Sequence, residues 1–229
     1  MRTPVIAVDG PAGSGKSSVC RAVAVRLGLR YLDTGAMYRA MTWAMLDAAI
    51  DVDDADAVAR HAEVVRIMSG TNPAGPTIHV GQTDVAEPIR GDDVTGAVSA
   101  VSAVPSVREL LVAIQRAEVA AAHEAGHGIV VEGRDITSVV LPDADVRLFV
   151  TADPAVRAAR RAAQDAGRGK DGVDVRQTET DLLARDAKDS TREASPLVVA
   201  PGVVVLDTSD LTLDQVVERI CDLVADLPG

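Results

Sequence analysis

Gly10-Pro11-Ala12-Gly13-Ser14-Gly15-Lys16-Ser17, followed by Ser18, fits G-x-x-x-x-G-K-[ST], a spacing suited to gripping a polyphosphate. Glycines there let the chain turn so that successive N–H groups converge on a β-phosphate, and a helix opening at the end of the loop adds its positive end. Lys16 is placed to reach the β- and γ-phosphates, and the Ser17 hydroxyl to bind Mg²⁺. The expected ATP-binding residues therefore run without a break from Gly10 to Ser18.

A second group is basic. Arg39, Arg90, Arg108, Arg134, Arg157, Arg160, Arg161, Arg185 and Arg192 fall at expected loop ends and on helix faces. Arg157, Arg160 and Arg161 are spaced i, i+3, i+4, so one helix presents them together; Arg185, Asp189 and Arg192 repeat that spacing on the next. Between them "DAGRGKDGVD", 165–174, reads as a mobile lid tip. A solvated helix face also carries arginines. Two such faces flanking a glycine-rich segment favour phosphoryl transfer, which must neutralise donor, transferred group and acceptor phosphate while water is excluded.

Five apolar runs must carry these groups: 5–10, 30–34, 128–133, 146–152 and 203–209. Their continuous β-branched character predicts strands buried on both faces, alternating with helices. The expected fold is a doubly wound α/β core with a five-stranded parallel sheet and helices on both faces, its ligands beyond the carboxyl ends of the strands. Residues 63–104, with "VVRIMSG", "TIHVGQTDV" and "PIRGDDV" around Asn, Pro and Gly turns, predict a small antiparallel insert, followed by a helix from about Ser106 to Glu124. The expected division is a core of 1–62 and 105–229, with a lid at about 153–176, and the insert at 63–104.

Composition narrows the function. A net charge of −11 over 229 residues repels nucleic-acid backbones, and the aromatics, Tyr31, Tyr38, Trp43 and Phe149, are too few for a stacking platform. Apolar runs are strand-sized, which predicts neither a signal peptide nor a membrane span and points to the cytoplasm. Cys20 and Cys221 lack metal-ligand spacing and are expected as free thiols. A GTPase would need N-K-x-D, but the only asparagine, Asn72, precedes a proline; "DVTG", 93–96, mimics a switch motif by coincidence. His61, His79, His123 and His127 show no ligand pairing, and Trp43 with Met37, Met41 and Met45 has the spacing of a buried helix face. Tyr38, beside Arg39, is a candidate for the acceptor pocket.

"DGPAGSGKSS", "YLDTGAMYRA", "VTGAVSAVSAVPSVRE", "VEGRD", "VVLPDADVRLFVTA", "RAARR" and "RDAKDSTREASPL" together resemble the long type of bacterial cytidylate kinase, a nucleoside-monophosphate kinase family. The resemblance spans essentially the whole chain. It implies Mg²⁺-dependent transfer of the γ-phosphoryl of ATP to CMP or dCMP by a monomer. Thr34, Arg39 and Arg134 would then hold the CMP phosphate. Asp135 and Ser99 would accept from the cytosine 4-amino group, and Arg108 would donate to its ring acceptors. Arg185, Asp189 and Arg192 would reach the sugar and phosphate. Lys16, Arg157, Arg160, Arg161 and Arg185 would act on the transferring phosphoryl.

Four positions depart from the family pattern. Thr137-Ser138 stands where Gly-Thr is usual, Lys188 where an arginine often occurs, and Thr34 where some relatives have serine. The alternatives are a kinase of the same core with another acceptor, such as a shikimate-type enzyme, and a regulator that binds ATP without transferring its phosphate.

Overall fold

All five apolar runs form strands, each slightly shorter than its run: β1 (Val5–Asp9), β2 (Arg30–Asp33), β6 (Ile129–Glu132), β7 (Val146–Thr151) and β8 (Val204–Asp207). A computed structural model of the chain describes residues 3–167, 169, 172, 174–191 and 194–227. The strands make one parallel sheet in the order β2-β6-β1-β7-β8. Period-two alternation sorts their side chains. Ile6, Val8, Tyr31, Val130 and Leu148 enter a cluster beneath α1 (Lys16–Leu27) and α8 (Leu213–Ala225). Ala7, Leu32, Ile129 and Val131 enter the opposite cluster with α2 (Thr34–Asp47) and α5 (Pro105–Glu124). Met37, Met41 and Met45 are wholly buried there, as their helical spacing predicts. Both cysteines are free thiols.

The insert differs from expectation in one part. Strands β3 (Ile67–Ser69), β4 (Ile78–Val80) and β5 (Thr83–Asp84) are antiparallel as predicted, after the short helix α3 (Ala55–Ala62). "PIRGDDV", however, is a 3₁₀ turn at Pro88–Arg90 and the opening of α4 (Asp92–Ala103). Asp92 and Asp93 in the first turn complement the helix dipole, and Val94, Val98 and Val101 fall on one buried face. Ile67, Ile78, Val85, Ile89 and Val98 share a cluster with Leu32 and Met41, so the insert has no core of its own. Its β3–β4 loop also returns to the sheet: the Tyr31 N–H donates to the Thr71 carbonyl at 2.9 Å, and Arg21 Nε to the Pro73 carbonyl at 3.1 Å. No single helix among the described residues is long and apolar enough to cross a membrane.

The two helices that flank the expected lid tip are α6 (Pro154–Ala166) and α7 (Val175–Thr191). The connecting tip lies partly outside the described residues, as does Arg192.

Every strand of the main sheet ends on an acidic or hydroxyl residue: Asp33, Glu132, Asp9, Thr151 and Asp207 in sheet order. Asp9 is a structural clamp. Its carboxylate accepts from Ile136 N at 2.8 Å and from Thr137 N and Thr137 Oγ1, each at 2.7 Å, fixing the π-helical turn Ile136–Val140. Thr137, the departure from the family pattern, thus supplies a donor through its side chain. Burial lifts the Asp9 carboxyl above its ordinary pKa, and the three hydrogen bonds oppose that rise. A raised carboxyl pKa makes the folded state retain the proton longer, so Asp9 favours folding most below the ordinary value and loses stabilisation as pH climbs toward the raised one. Gly10 must follow, because a Cβ there would lie 2.0 Å from the Val150 carbonyl oxygen of β7.

Replacing Thr137 with valine keeps the volume and removes one donor to a buried carboxylate. It should lower stability in urea unfolding by about 1–3 kcal/mol, with serine restoring most of the loss. An unchanged midpoint would assign the clamp to the two backbone donors alone.

Candidate active site

The strand ends, phosphate loop, insert and lid helices enclose a cleft of about 760 Å³. Ala12 to Ser18 line one end together with Arg160, Thr208, Leu211, Leu213 and Val216. The opposite end is lined by Thr34, Tyr38, Arg39, Val98, Ser102, Arg108, Arg134, Asp135, Arg185 and Asp189. Asp33 and Glu132 form the floor between them. Its volume is toward the upper end of the range for small-molecule pockets, consistent with two ligands end to end.

Gly13 and Gly15 adopt left-handed conformations, with φ of 75° and 85°, and α1 starts at Lys16. Lys16 Nζ donates back to the carbonyls of Gly10 (2.9 Å) and Pro11 (3.2 Å), which lie behind the loop rather than on the cleft wall. Burial, with Arg134 nearby, pulls the Lys16 ammonium down to about 8, opposed by Glu132. The Ser17 hydroxyl donates to Glu132 Oε2 at 3.0 Å, and the Tyr31 hydroxyl donates to Oε1. Burial pushes the Glu132 carboxyl up to about 7, and Asp33 adds to it. A hydroxyl beside carboxylates is a hard-oxygen donor set suited to Mg²⁺. No cluster of three or more His, Cys, Asp or Glu that could hold a metal ion occurs among the described residues. Motif spacing alone does not mark Glu132, in "VEGRD"; its place at the end of a doubly buried strand is the available signal.

The arginines separate by partner. Arg108 pairs with Asp135, donates to the Ser102 carbonyl at 3.1 Å, and lies 5.2 Å from the Tyr38 ring centroid, a cation–π distance. Arg134 Nε meets Asp189 at 3.2 Å. Arg161 pairs with Asp165 and faces the cleft. Arg39 and Arg185 have no carboxylate partner within ion-pair distance among the described residues. Burial lowers Arg39 to about 9, with Arg185 and Arg161 adding repulsion. Burial lowers Arg185 to about 10, with Arg134 and Arg161 adding repulsion, and its buried Nε has no hydrogen-bond partner among the described residues. Two crowded guanidiniums facing a cleft in an acidic protein make a site for a polyanion.

Three expected residues are placed differently. Arg157 does not line the cleft: it is buried, pairs with Asp186, and donates to the carbonyls of Ala12 (3.0 Å) and Ala152 (3.1 Å). Asp186 in turn accepts from Ala12 N at 3.2 Å, so one residue of the phosphate loop is gripped from α6 and α7 together. Arg160 joins the phosphate-loop end, bonded to Thr208 Oγ1 (2.9 Å) and the Thr208 carbonyl (2.7 Å). Ser99 is off the cleft wall, whereas Ser102, one helical turn later, lines it and donates to the Ser99 carbonyl at 3.2 Å. Thr34 donates to the Glu132 carbonyl at 2.7 Å, which its hydroxyl does as well as a serine's would. Lys188 is exposed and off the cleft, so its departure from arginine removes no contact there.

The cytidylate kinase family model matches residues 6–226. A cytidylate kinase from Streptomyces avermitilis is 54% identical over 220 residues, covering 96% of this chain and 92% of the relative. One from Rhodococcus opacus is 52% identical over 225 residues, covering 98% and 96%. Among solved structures, a sugar kinase from Janibacter sp. superposes with a TM-score of 0.51 at 16% identity, covering 98% of this chain and 95% of that one, a likeness of fold alone.

The paired and unpaired arginines predict opposite phenotypes. Arg157→Ala should destabilise the protein by about 3 kcal/mol, because it leaves the Asp186 carboxylate unbalanced and releases Ala12. Arg185→Met removes a repelled charge, so its unfolding midpoint should be unchanged or higher, while kcat/KM falls by at least about a hundredfold. Thermal unfolding measured beside turnover distinguishes the two; a destabilised Arg185→Met with full turnover would reverse the assignment.

Proposed function

The chain belongs to the cytidylate kinase family, and we propose that its cleft joins ATP at the phosphate loop to CMP or dCMP at the insert, passing the γ-phosphoryl between them. The observation that carries this reading is the pair of guanidiniums without an ion-pair partner among the described residues, Arg39 and Arg185, lining the same cleft as the phosphate loop and the Arg108–Asp135 pair.

On this reading Gly13 to Ser18 cradle the donor phosphates with backbone N–H groups, and Lys16 exchanges its loop carbonyls for phosphate oxygens. The Ser17 hydroxyl, backed by Glu132, would hold Mg²⁺ with the nucleotide; what the ion supplies when bound is neutralisation of the β- and γ-phosphates. Arg160 and Thr208, with Leu211, Leu213 and Val216, form the outer wall at the donor end and suit the adenosine. Thr34, Arg39 and Arg134 hold the acceptor phosphate, with Arg185 and Asp189 beside it. A phosphate oxygen of CMP attacks the γ-phosphorus, the bond to the β–γ bridging oxygen breaks, and ADP leaves. That oxygen is already a nucleophile at neutral pH, so no side chain must remove a proton. Arg161 and Arg185 neutralise the transferring group. Arg157 acts from behind, holding Ala12 in place.

Base choice follows from Asp135 and Arg108. A carboxylate accepts from the cytosine 4-amino group and repels the oxygen that uracil carries there, while the guanidinium meets the ring acceptors. Ser102 offers a hydroxyl to the same pocket.

With ATP as donor, CMP and dCMP should be turned over far better than UMP, AMP, GMP or shikimate. Asp135→Ala should cut the CMP-to-UMP ratio of kcat/KM by at least about tenfold, with ATP KM little changed. A higher rate on any of the other acceptors, or an unaltered ratio in the variant, would overturn the assignment.

A further inference from the structure

Thr95, in the segment Asp93-Val94-Thr95-Gly96 that mimics a nucleotide switch, stands in the first turns of α4. Its hydroxyl donates to the Gly91 carbonyl at 2.8 Å. The same oxygen accepts from Arg39 Nη1 at 3.0 Å, and Nη1 also donates to the Ile89 carbonyl at 2.9 Å. Arg39 belongs to α2 of the core, whereas Ile89, Gly91 and Thr95 belong to the insert. Arg39 Nε and Nη2 make no hydrogen bond among the described residues, and Arg39 lines the cleft.

A threonine at this place in a helix commonly bonds only its own i−4 carbonyl, a local habit with no reach beyond the helix. Here that local bond consumes the hydroxyl proton and turns a lone pair outward, so the oxygen can act toward Arg39 only as an acceptor. The guanidinium needs such an anchor, because Arg90, Arg161 and Arg185 all repel it. Without it, Nη1 keeps one partner, the Ile89 carbonyl, and the plane of the guanidinium is free to turn about that contact.

We propose that Thr95 is a positioning residue for the acceptor phosphate. By fixing Nη1 of Arg39 from the insert, it aims Nε and Nη2 at the monophosphate as a two-pronged fork, the geometry in which guanidinium–phosphate pairs are most specific. The insert thereby contributes to phosphate recognition without a charge of its own at that point. This rests on the assignment of Arg39 to the CMP phosphate.

The test compares Thr95→Val, Thr95→Ser, Arg39→Ala and the Thr95→Val/Arg39→Ala pair for KM of CMP, KM of ATP and kcat, with cytidine as a phosphate-free inhibitor. Thr95→Val should raise the CMP KM about tenfold, the effect of one hydrogen bond to a charged group. It should leave the ATP KM and cytidine inhibition unchanged; Thr95→Ser should restore the CMP KM, and the pair should be no worse than Arg39→Ala. Equal losses for CMP and cytidine, or a Thr95→Val effect undiminished on the Arg39→Ala background, would make Thr95 merely structural and overturn the proposal. A normal CMP KM in Thr95→Val beside an impaired Arg39→Ala would overturn it for Thr95 alone, and an unimpaired Arg39→Ala would overturn the assignment beneath it.

Discussion

Cations must be gathered and held nearly dry before any phosphate arrives, and the rest of this structure is arranged around that constraint. Burial and mutual repulsion work against Arg39 and Arg185, as their depressed values register. Stability therefore depends on pairing most of the others with carboxylates. Arg108 has Asp135, Arg134 has Asp189, Arg157 has Asp186 and Arg161 has Asp165. The carboxylates come from the same loops and lid helices as the arginines, which is how a chain of net charge −11 builds a basic pocket. What remains unneutralised is a differential: charge the empty site tolerates poorly and the anionic transition state relieves.

The parallel sheet makes that arrangement rigid. Because all five strands run the same way, their last residues form a single rim, and Asp9, Asp33 and Glu132 stand side by side on it. Each is spent differently. Asp9 clamps the turn after Asp135, Asp33 caps α2 through Ala36 N at 3.0 Å, and Glu132 receives Ser17 and Tyr31. The turn that presents Arg134 and Asp135 is thus fastened to the strand that presents the phosphate loop. Ala12, held by Arg157 and Asp186, fastens the loop to both lid helices. Both helices are therefore joined to the donor loop by direct hydrogen bonds, not through solvent.

The parts of this arrangement legible in the sequence were those set by local pattern. A strand buried on both faces is a continuous apolar run, and the phosphate loop is a fixed spacing beside one, so both could be read directly. "PIRGDDV" was not, because Pro88, Gly91 and the alternation of its side chains speak for a turn-rich sheet as strongly as for a helix start. The difference lies in Val98 and Val101, beyond the segment. Helical spacing put Arg157, Arg160 and Arg161 on a common face, but spacing carries no depth. Only Asp186, on the next helix, separates the buried strut from its half-buried neighbours. Asp9 was invisible for the same reason, its partners Ile136 and Thr137 being a whole domain away in sequence. The one-turn displacement from Ser99 to Ser102 reflects a helix whose rotation is fixed by packing against α2 and α5, which no single-chain pattern specifies.

The Arg108–Asp135 pair shows how the acceptor pocket can be both stable when empty and selective when filled. An isolated buried carboxylate or guanidinium would be costly, so each neutralises the other and Tyr38 covers the guanidinium face. Yet the pair is not saturated: Arg108 Nε is buried without a hydrogen-bond partner, and the pair uses Asp135 Oδ2. On the proposed assignment cytosine, with one donor edge beside its acceptors, would satisfy both residues without parting them. Uracil would set an acceptor against Asp135 and adds no compensating contact at Arg108. Selectivity of this kind comes from what the wrong base leaves unpaired, not from extra attraction for the right one, which is why a polar pocket can discriminate where an apolar one of the same shape could not.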